Sequence, residues 1–456
     1  MTYSIGNTFH EEEQVTEKPA CQFDISIPDL MEVICGRDNL NAAYKKVYRN
    51  RGIPGVDNIS IGAMKDWLKA NKDNLINSLL DGTYVPRPVK GIYIPKPRKG
   101  GIRCIGVLSV IDRLVQNAIF QVICDPIDKM FSNYSFGFRR NRSALDAIQL
   151  ARNYILNGYK YVADIDIEKF FDNIHHDKVM YKLSRIVHDK RVLKIVRRFL
   201  QAGMWRYDVY IERLSGVYQG GSLSPLLSNL MLHEVDVLLE QRGHKFCRYA
   251  DDIKIYTKSQ KAADRVLQSI EKYLAQKLKL KCNERKTKAC QVQDSDFLGY
   301  NIDGNGRVTA LQENIDALKY KIRKLTNRSV FRSLKTMISE LNQVIVGWTS
   351  YFRYDYRQDI YRDLDMLLRR RIRANIIRRA VVLRSAGLTW IRSIGCKHCN
   401  IDFNKIRWNC GLVTWMANYI IRNEWFSEND LRSILQSKEK YGNKDDDSRI
   451  LPPPHC

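Results

Sequence analysis

Apolar and polar positions along this chain change period more than once. Between Leu40 and Tyr48 apolar and aromatic side chains recur at helical spacing, and "RGIPGVD" (residues 51–57) breaks the run with two glycines and a proline. From there to about residue 305 strand-like runs alternate with helical ones, among them "KGIYIP", "KYVADIDI", "FCRYADDIKIY" and "FLGYNI". That mixture predicts an α+β or α/β body. After about residue 310 the apolar spacing becomes that of long helices, and the last 70 or so residues are mixed, with tryptophans at 390, 408, 415 and 425. The first 25 or so residues are polar, mixed in charge and without period, which predicts a flexible tail. No internal repeat or low-complexity tract interrupts this order.

Two segments of the body carry acid where acid is costly. In "FCRYADDIKIY" (residues 246–256) both flanks alternate as strands do, so the segment predicts a hairpin with Ala250, Asp251 and Asp252 at or near its tip. Aspartate is also an ordinary turn residue, so this match alone decides little. In "YVADIDIEKFFDNIHHDK" (residues 161–178) Asp164 and Asp166 alternate with Ala163, Ile165 and Ile167, which puts two carboxylates on one face of a buried strand. Like charges held this close repel, and a divalent cation keeps them ionised together. If Asp166 lies beside the hairpin tip, three carboxylates can hold two magnesium ions. His175 and His176 are expected at a helix start rather than in catalysis.

Two further blocks fit a site for nucleotides. "YQGGSLSPLLSNLML" (residues 218–232) predicts a helix capped by Ser224 with Pro225 in its first position, its Leu226, Leu227, Leu230 and Met231 facing a core. Before it, Gly220 and Gly221 allow a base and sugar to approach the backbone, with Gln219 free to hydrogen-bond. "IYIPKPRKGGIRCIGVLSVIDR" (residues 92–113) predicts a hairpin closed by Gly100 and Gly101, with Lys96 and Arg103 placed to clamp a triphosphate. Arg98 and Lys99, nearer the turn, are expected as template contacts or solvated charges.

Charge narrows the partners. The chain holds 75 Lys and Arg against 50 Asp and Glu, a formal net charge of +25, with a sequence pI near 9.5. An excess of that size attracts a polyanion, nucleic acid or an anionic membrane. Residues 410–421, the longest apolar stretch, fall short of the roughly 20 residues a spanning helix needs and are interrupted by Asn418. Membrane is therefore not expected, and Glu11 to Glu13 oppose a signal peptide. The 11 cysteines, odd in number and irregularly spaced, suggest free thiols in a reducing compartment. Residues 311–385 hold 17 basic and 7 acidic side chains, concentrated in "RRRIRANIIRR" (residues 369–379). An excess of one sign points to RNA.

In this order the blocks "RGIPGVD", "IPKPRKGGIRCIGV", "SFGFRRNRSALDAI", "DIDIEKFFDNIHHDK", "QGGSLSPLLSNLML", "RYADD", "CNERKTK" and "FLGY" resemble the reverse transcriptases of bacterial group II introns, also called maturases, over roughly residues 28–435. The resemblance implies a right-hand polymerase fold of class α+β. Fingers and palm would occupy residues 28–305 after a tail of residues 1–27, a helical thumb or maturase domain residues 306–385, and a small nucleic-acid-binding element residues 386–456. It implies metal binding at Asp166, Ile167, Asp251 and Asp252, with Lys286, preferred over Lys288, near the leaving group. Nucleotide binding falls to Lys96, Arg103, Phe171, Gln219 and Gly220, Phe171 matching the steric gate against a ribose 2′-hydroxyl. Phe297, Leu298, Gly299 and Tyr300 match the primer grip. Arg369, Arg370, Arg371, Arg373, Arg378 and Arg379 are expected at RNA.

"LNQVIVGWTSYFRYDY" (residues 341–356) resembles the thumb, its tryptophan and tyrosines expected to bury against neighbouring helices. "IIRNEWFSENDLRSIL" (residues 420–435) resembles the C-terminal element of the subgroup without an endonuclease. "CKHC" (residues 396–399) has no second Cys pair, so neither the family's nuclease nor a zinc site at Cys396, His398 and Cys399 is expected. The implied partners are intron RNA or another structured RNA template, a DNA primer or target and deoxynucleotides, with no membrane. The implied cofactor is two Mg2+ ions, and the implied location a bacterial cytoplasm, at the nucleoid when DNA is bound. Two other readings stay open: an intron-derived polymerase recruited to DNA repair, phage defence or target diversification, and an RNA-binding splicing cofactor without polymerase activity.

Overall fold

The structure, a computed structural model, describes residues 27–95, 102–207, 209–327, 332–383, 385–395 and 417–442. Its strands run in chain order as β1 (Val89–Pro95), β2 (Ile102–Val107), β3 (Tyr161–Asp166), β4 (Met204–Arg206), β5 (Val209–Ile211), β6 (Lys245–Tyr249), β7 (Asp252–Thr257), β8 (Lys288–Gln291), β9 (Asp296–Phe297), β10 (Tyr300–Ile302) and β11 (Val308–Ala310). They form sheets ordered β2-β1-β4-β5, β6-β7-β3-β8 and β11-β10-β9. The mixed α+β class matches the sequence reading. No helix among the described residues is long and apolar enough to cross a membrane.

The chain divides into two compact bodies. The first takes described residues up to 140, 166–243 and 270–283. Its core centres on the helix Val110–Asp128, which buries Val110, Leu114, Val115, Ala118, Ile119 and Ile123. The helix that the 40–48 periodicity predicts is present as Arg37–Asn50, ended by Arg51 at a left-handed φ of 54°. Antiparallel β1 and β2 pair Pro95 with Ile102, parallel β1 and β4 pair Val89 with Met204, and β4 turns back into β5. The helix Ser224–Gln241 buries Leu226, Leu227, Leu230 and Met231 as its spacing predicted. Its cap differs: Leu223 precedes the first turn without a side-chain cap, and Ser224 is already helical. His176 does open a helix, His176–Ser184, with its ring Nε2 2.8 Å from the Gly216 carbonyl oxygen.

A buried polar knot ties β1 to this core. Asp112 accepts hydrogen bonds from the Tyr84 hydroxyl (2.7 Å), the Ser109 hydroxyl (2.7 Å) and the Arg87 amide (3.2 Å). Burial pushes its carboxyl up to about 6, against the Ser109 and Tyr84 hydrogen bonds, which hold it down. The folded chain therefore keeps this proton up to about pH 6, whereas the unfolded chain releases it near pH 4. Stability from this group is complete below about pH 4 and is lost, by about 3 kcal/mol, as pH rises through about 6. Thermal melts of the wild type and Asp112→Asn across pH 4–7 check this. The wild type should lose ground against the variant up to pH 6 and run parallel above it.

The second body takes residues 141–165, 244–269 and the described residues from 284 onward. Antiparallel β6 and β7 pair Tyr249 with Asp252, and antiparallel β3 and β8 pair Tyr161 with Gln291. Val162, Ala163 and Ile165 are buried, so β3 is covered on both faces, as its apolar run predicted. Beyond β11 three helices, Gln312–Leu325, Leu334–Tyr351 and Gln358–Val382, share one core that includes Leu318, Leu341, Ile345, Leu364, Ile372 and Ile376. The C-terminal segment joins that core through Ile421, Trp425 and Ile434. Its last helix, Ile434–Gly442, is capped from another element. Asp365, 3% exposed, accepts from the Ser433 hydroxyl (2.6 Å) and from the amides of Ile434 (2.8 Å) and Leu435 (3.2 Å).

Candidate active site

Strand pairing builds the acidic turn. Because Tyr249 pairs directly with Asp252, Ala250 and Asp251 form a two-residue connection. Ala250 takes a left-handed φ of 58°, a conformation that costs a non-glycine residue roughly 1 kcal/mol. Arg248, 0% exposed, offsets this by donating from Nη1 to the Ala250 carbonyl at 3.0 Å. Arg248 stands within "RYADD", but nothing local in that block marks it as a brace. Asp251 and Asp252 are half-buried.

Beneath the turn lies a cation that periodicity did not reveal. Lys254 on β7 is 3% exposed, and its Nζ stands 2.5 Å from Asp164 Oδ2 and 3.5 Å from Asp252 Oδ1. It also donates to the Ser295 hydroxyl at 3.2 Å, while that hydroxyl donates to Asp164 Oδ2 at 2.9 Å. The ammonium lies 5.7 Å from the Phe297 ring centroid. Burial alone would lower the Lys254 ammonium, but Asp252 and Asp164 outweigh it and hold it above its ordinary value. One sequence signal existed: a lysine inside the otherwise apolar run Ile253, Ile255, Tyr256.

Asp166 ends β3, two residues beyond Asp164 on the same face. Within the first body its Oδ2 accepts from Asn283 Nδ2 at 3.1 Å and its carbonyl from the Asn283 amide at 2.8 Å. Ile167 pairs with Cys282 and buries its side chain, so what it can offer a metal is its carbonyl oxygen. Among the described residues no group of three or more His, Cys, Asp or Glu side chains is gathered closely enough to hold a metal ion. Magnesium does not require one, since one or two carboxylates complete their shell with water and substrate phosphates. The donor chemistry fits. Asp251 and Asp252 supply hard carboxylate oxygens at one turn, and Asp166 supplies another at the end of a strand.

In the first body the nucleotide candidates are joined through main chain. The Phe171 carbonyl accepts from the Val217 amide at 2.7 Å, and the Gln219 carbonyl accepts from the Gly106 amide of β2 at 3.3 Å. The loop thereby links Phe171 to the strand bearing exposed Arg103. Gly220 has a φ of 123°, and a Cβ there would sit 3.0 Å from the Gly106 carbonyl oxygen, so a side chain would be strained and tightly packed. Phe171 is half-buried, 5.7 Å from the Phe170 ring and 6.1 Å edge-on to Phe138. Lys96, Arg98, Lys99, Gly100 and Gly101 lie outside the described residues, as do Cys396, His398, Cys399, Trp408 and Trp415.

In the second body Phe297 and Tyr300 pair across a turn formed by Leu298 (φ 52°) and Gly299 (φ 83°). The helical segment fastens that turn: Tyr351 donates its hydroxyl to the Leu298 carbonyl at 2.8 Å, and Asn314 Nδ2 donates to the Gly299 carbonyl at 2.8 Å. Tyr300 is fully buried against Tyr351 and Phe352, and its hydroxyl bonds the Tyr351 carbonyl. Lys286 and Lys288 are both exposed, and Lys288 donates to the Asp294 carbonyl at 2.6 Å.

The arginine run splits by role. Arg371 donates to the Thr326 hydroxyl and the Arg323 carbonyl. Arg373 donates to the Ile421 carbonyl and to Asn423 while covering the Phe426 ring. Both are half-buried, as are Arg369 and Arg379, whereas Arg370 and Arg378 are exposed. A groove of about 930 Å³ lies beside the run, lined by Arg369, Arg370, Arg373 and Arg422.

Residues 94–302 match the family of reverse transcriptases (RNA-dependent DNA polymerases), and residues 315–386 match the group II intron maturase-specific domain. The chain is 29% identical to the group II intron-encoded protein LtrA of Lactococcus lactis over 52% of its own length and 39% of that protein's. It is 29% identical to the protein YkfC of Escherichia coli K12, over 61% and 84% respectively. A COX1/OXI3 intron 1 protein of Saccharomyces cerevisiae is 30% identical over 46% and 25%. The chain thus spans less than half of the lactococcal and yeast relatives.

Proposed function

This chain joins a reverse transcriptase domain to a group II intron maturase-specific domain, and from that premise we propose that it extends a primer with deoxynucleotides on an RNA template and binds intron RNA to promote splicing and insertion into DNA. The observation that carries this reading is the strained acidic turn at Ala250 and Asp251, braced by a fully buried arginine. Strain kept at a half-buried pair of carboxylates favours chemistry over simple turning. Asp166 with the Ile167 carbonyl, and Asp251 with Asp252, are the groups that would hold two magnesium ions, whose chemistry would be to activate a primer 3′-hydroxyl and to neutralise pyrophosphate charge.

The other residues orient and select. Lys96 and Arg103 grip the triphosphate, the Gln219 and Gly220 backbone receives base and sugar, and Phe171 excludes a ribose 2′-hydroxyl. The turn from Phe297 to Tyr300 steadies the primer end. Lys286 serves the leaving group. RNA phosphates meet the arginine run chiefly through exposed Arg370 and Arg378, with Arg369 and Arg379 beside them, while Arg371 and Arg373 brace the helices. The working location is a bacterial cytoplasm, at the nucleoid when target DNA is bound.

Primer extension on an RNA template in magnesium tests the reading, together with RNA affinity across a salt series. DNA synthesis and an affinity that falls steeply with salt are expected, since a basic surface binds by displacing counterions. A chain that extends no primer and binds RNA indifferently to salt overturns it.

A further inference from the structure

Lys254 has three donors, and each has a partner: Asp164 Oδ2 at 2.5 Å, the Ser295 hydroxyl at 3.2 Å and Asp252 Oδ1 at 3.5 Å. The first two form a closed triangle, because Ser295 also bonds Asp164. A counter-ion for a buried aspartate needs nothing more. The third arm instead reaches the first residue of β7, on the same face and two positions back along the strand. We propose that Lys254 is a positioning residue that fixes the Asp252 carboxylate by its Oδ1 oxygen, with Asp164 and Ser295 as the anchor that holds the lysine still. The inference rests on the polymerase reading, in which Asp252 is a metal ligand.

The physical case is one of leverage. A half-buried aspartate at a turn can rotate about its side-chain torsions, and every rotation moves its oxygens relative to the substrate. A lysine on a flexible stem would not prevent this by itself. Here the ammonium is nearly excluded from water, gripped by a carboxylate and a hydroxyl, and bordered by the Phe297 ring. Outer residues fixed in this way orient ligands, and their loss typically lowers metal affinity about 10–100-fold.

Three variants separate positioning from charge balance: Lys254→Met, Asp164→Asn, and the two combined. Each is measured for melting temperature, for the magnesium concentration giving half-maximal primer extension, and for Mn2+ binding followed by electron paramagnetic resonance without substrate. Lys254→Met should melt lower and require about tenfold more magnesium or beyond. The double variant removes both buried charges, so its melting temperature should recover while the magnesium requirement and weakened Mn2+ binding persist. Recovery of both metal readouts in the double variant would show that Lys254 only neutralises Asp164, and the proposal would fall. If the wild type extends no primer, the polymerase reading fails. Mn2+ binding then still decides the lysine's role, equal affinity in wild type and double variant overturning it.

Discussion

Alanine at Asp251 is expected to abolish primer extension, on the order of a thousandfold or more, while RNA binding stays close to wild type. The turn owes its geometry to the pairing of Tyr249 with Asp252 and to the Arg248 bond to the Ala250 carbonyl, neither of which uses the Asp251 side chain. The backbone should therefore keep its course. What disappears is one of two adjacent carboxylates on which the proposed metal pair depends, so positioning and charge neutralisation fail together. The arginines proposed to meet RNA lie on the helix Gln358–Val382, a different element. Primer extension beside a mobility-shift assay on the same preparation checks this, and an Asp251→Ala protein that still polymerises would refute the assignment.

Alanine at Phe171 should have a different effect, leaving synthesis in place but relaxing the choice of sugar. The ring is half-buried beside Phe138 and Phe170, while the Phe171 main chain holds the Val217 amide. Truncation keeps that bond and opens space beside Phe138 and Phe170. Discrimination of deoxy- from ribonucleotides should fall roughly 10- to 200-fold, the range available to a purely steric pocket. The expected stability loss is modest, because the ring is not fully enclosed. Single-nucleotide kcat/KM values for matched deoxy- and ribonucleotides give the ratio; a variant with normal activity and an unchanged ratio would make Phe171 a plain packing residue.

The parts of the fold legible in the sequence are those written in local periodicity. Alternation around "YADD" placed the hairpin, the apolar run through Asp164 and Asp166 placed a strand covered on both faces, and the leucines after "QGGSLSP" placed a helix with the correct buried side. The helix boundary slipped by one residue at Ser224, since a Ser-Pro start reads alike whether the serine caps or begins the helix. The short β4 and β5 strands escaped notice. Each has three residues, mostly with exposed side chains, too few to show a period.

What periodicity could not supply was pairing at long range. Nothing local announces that Lys254 will meet Asp164, that Asp365 will cap a helix some 70 residues later, or that Arg371 and Arg373 will turn inward to carbonyls. Charge composition reads all the arginines of the run as equivalent. Packing distinguishes them.

The turn at Leu298 and Gly299 is tied by its two carbonyls to two different helices, through Tyr351 and Asn314. Such a double tether works as a crank: a ligand that tilts either helix must drag the turn, and a strand end pressing on the turn must push back on the helices. With the turn in its proposed place at the primer end, occupancy of the helical region and grip on that end would become reciprocal quantities, each altering the other's affinity by the same factor.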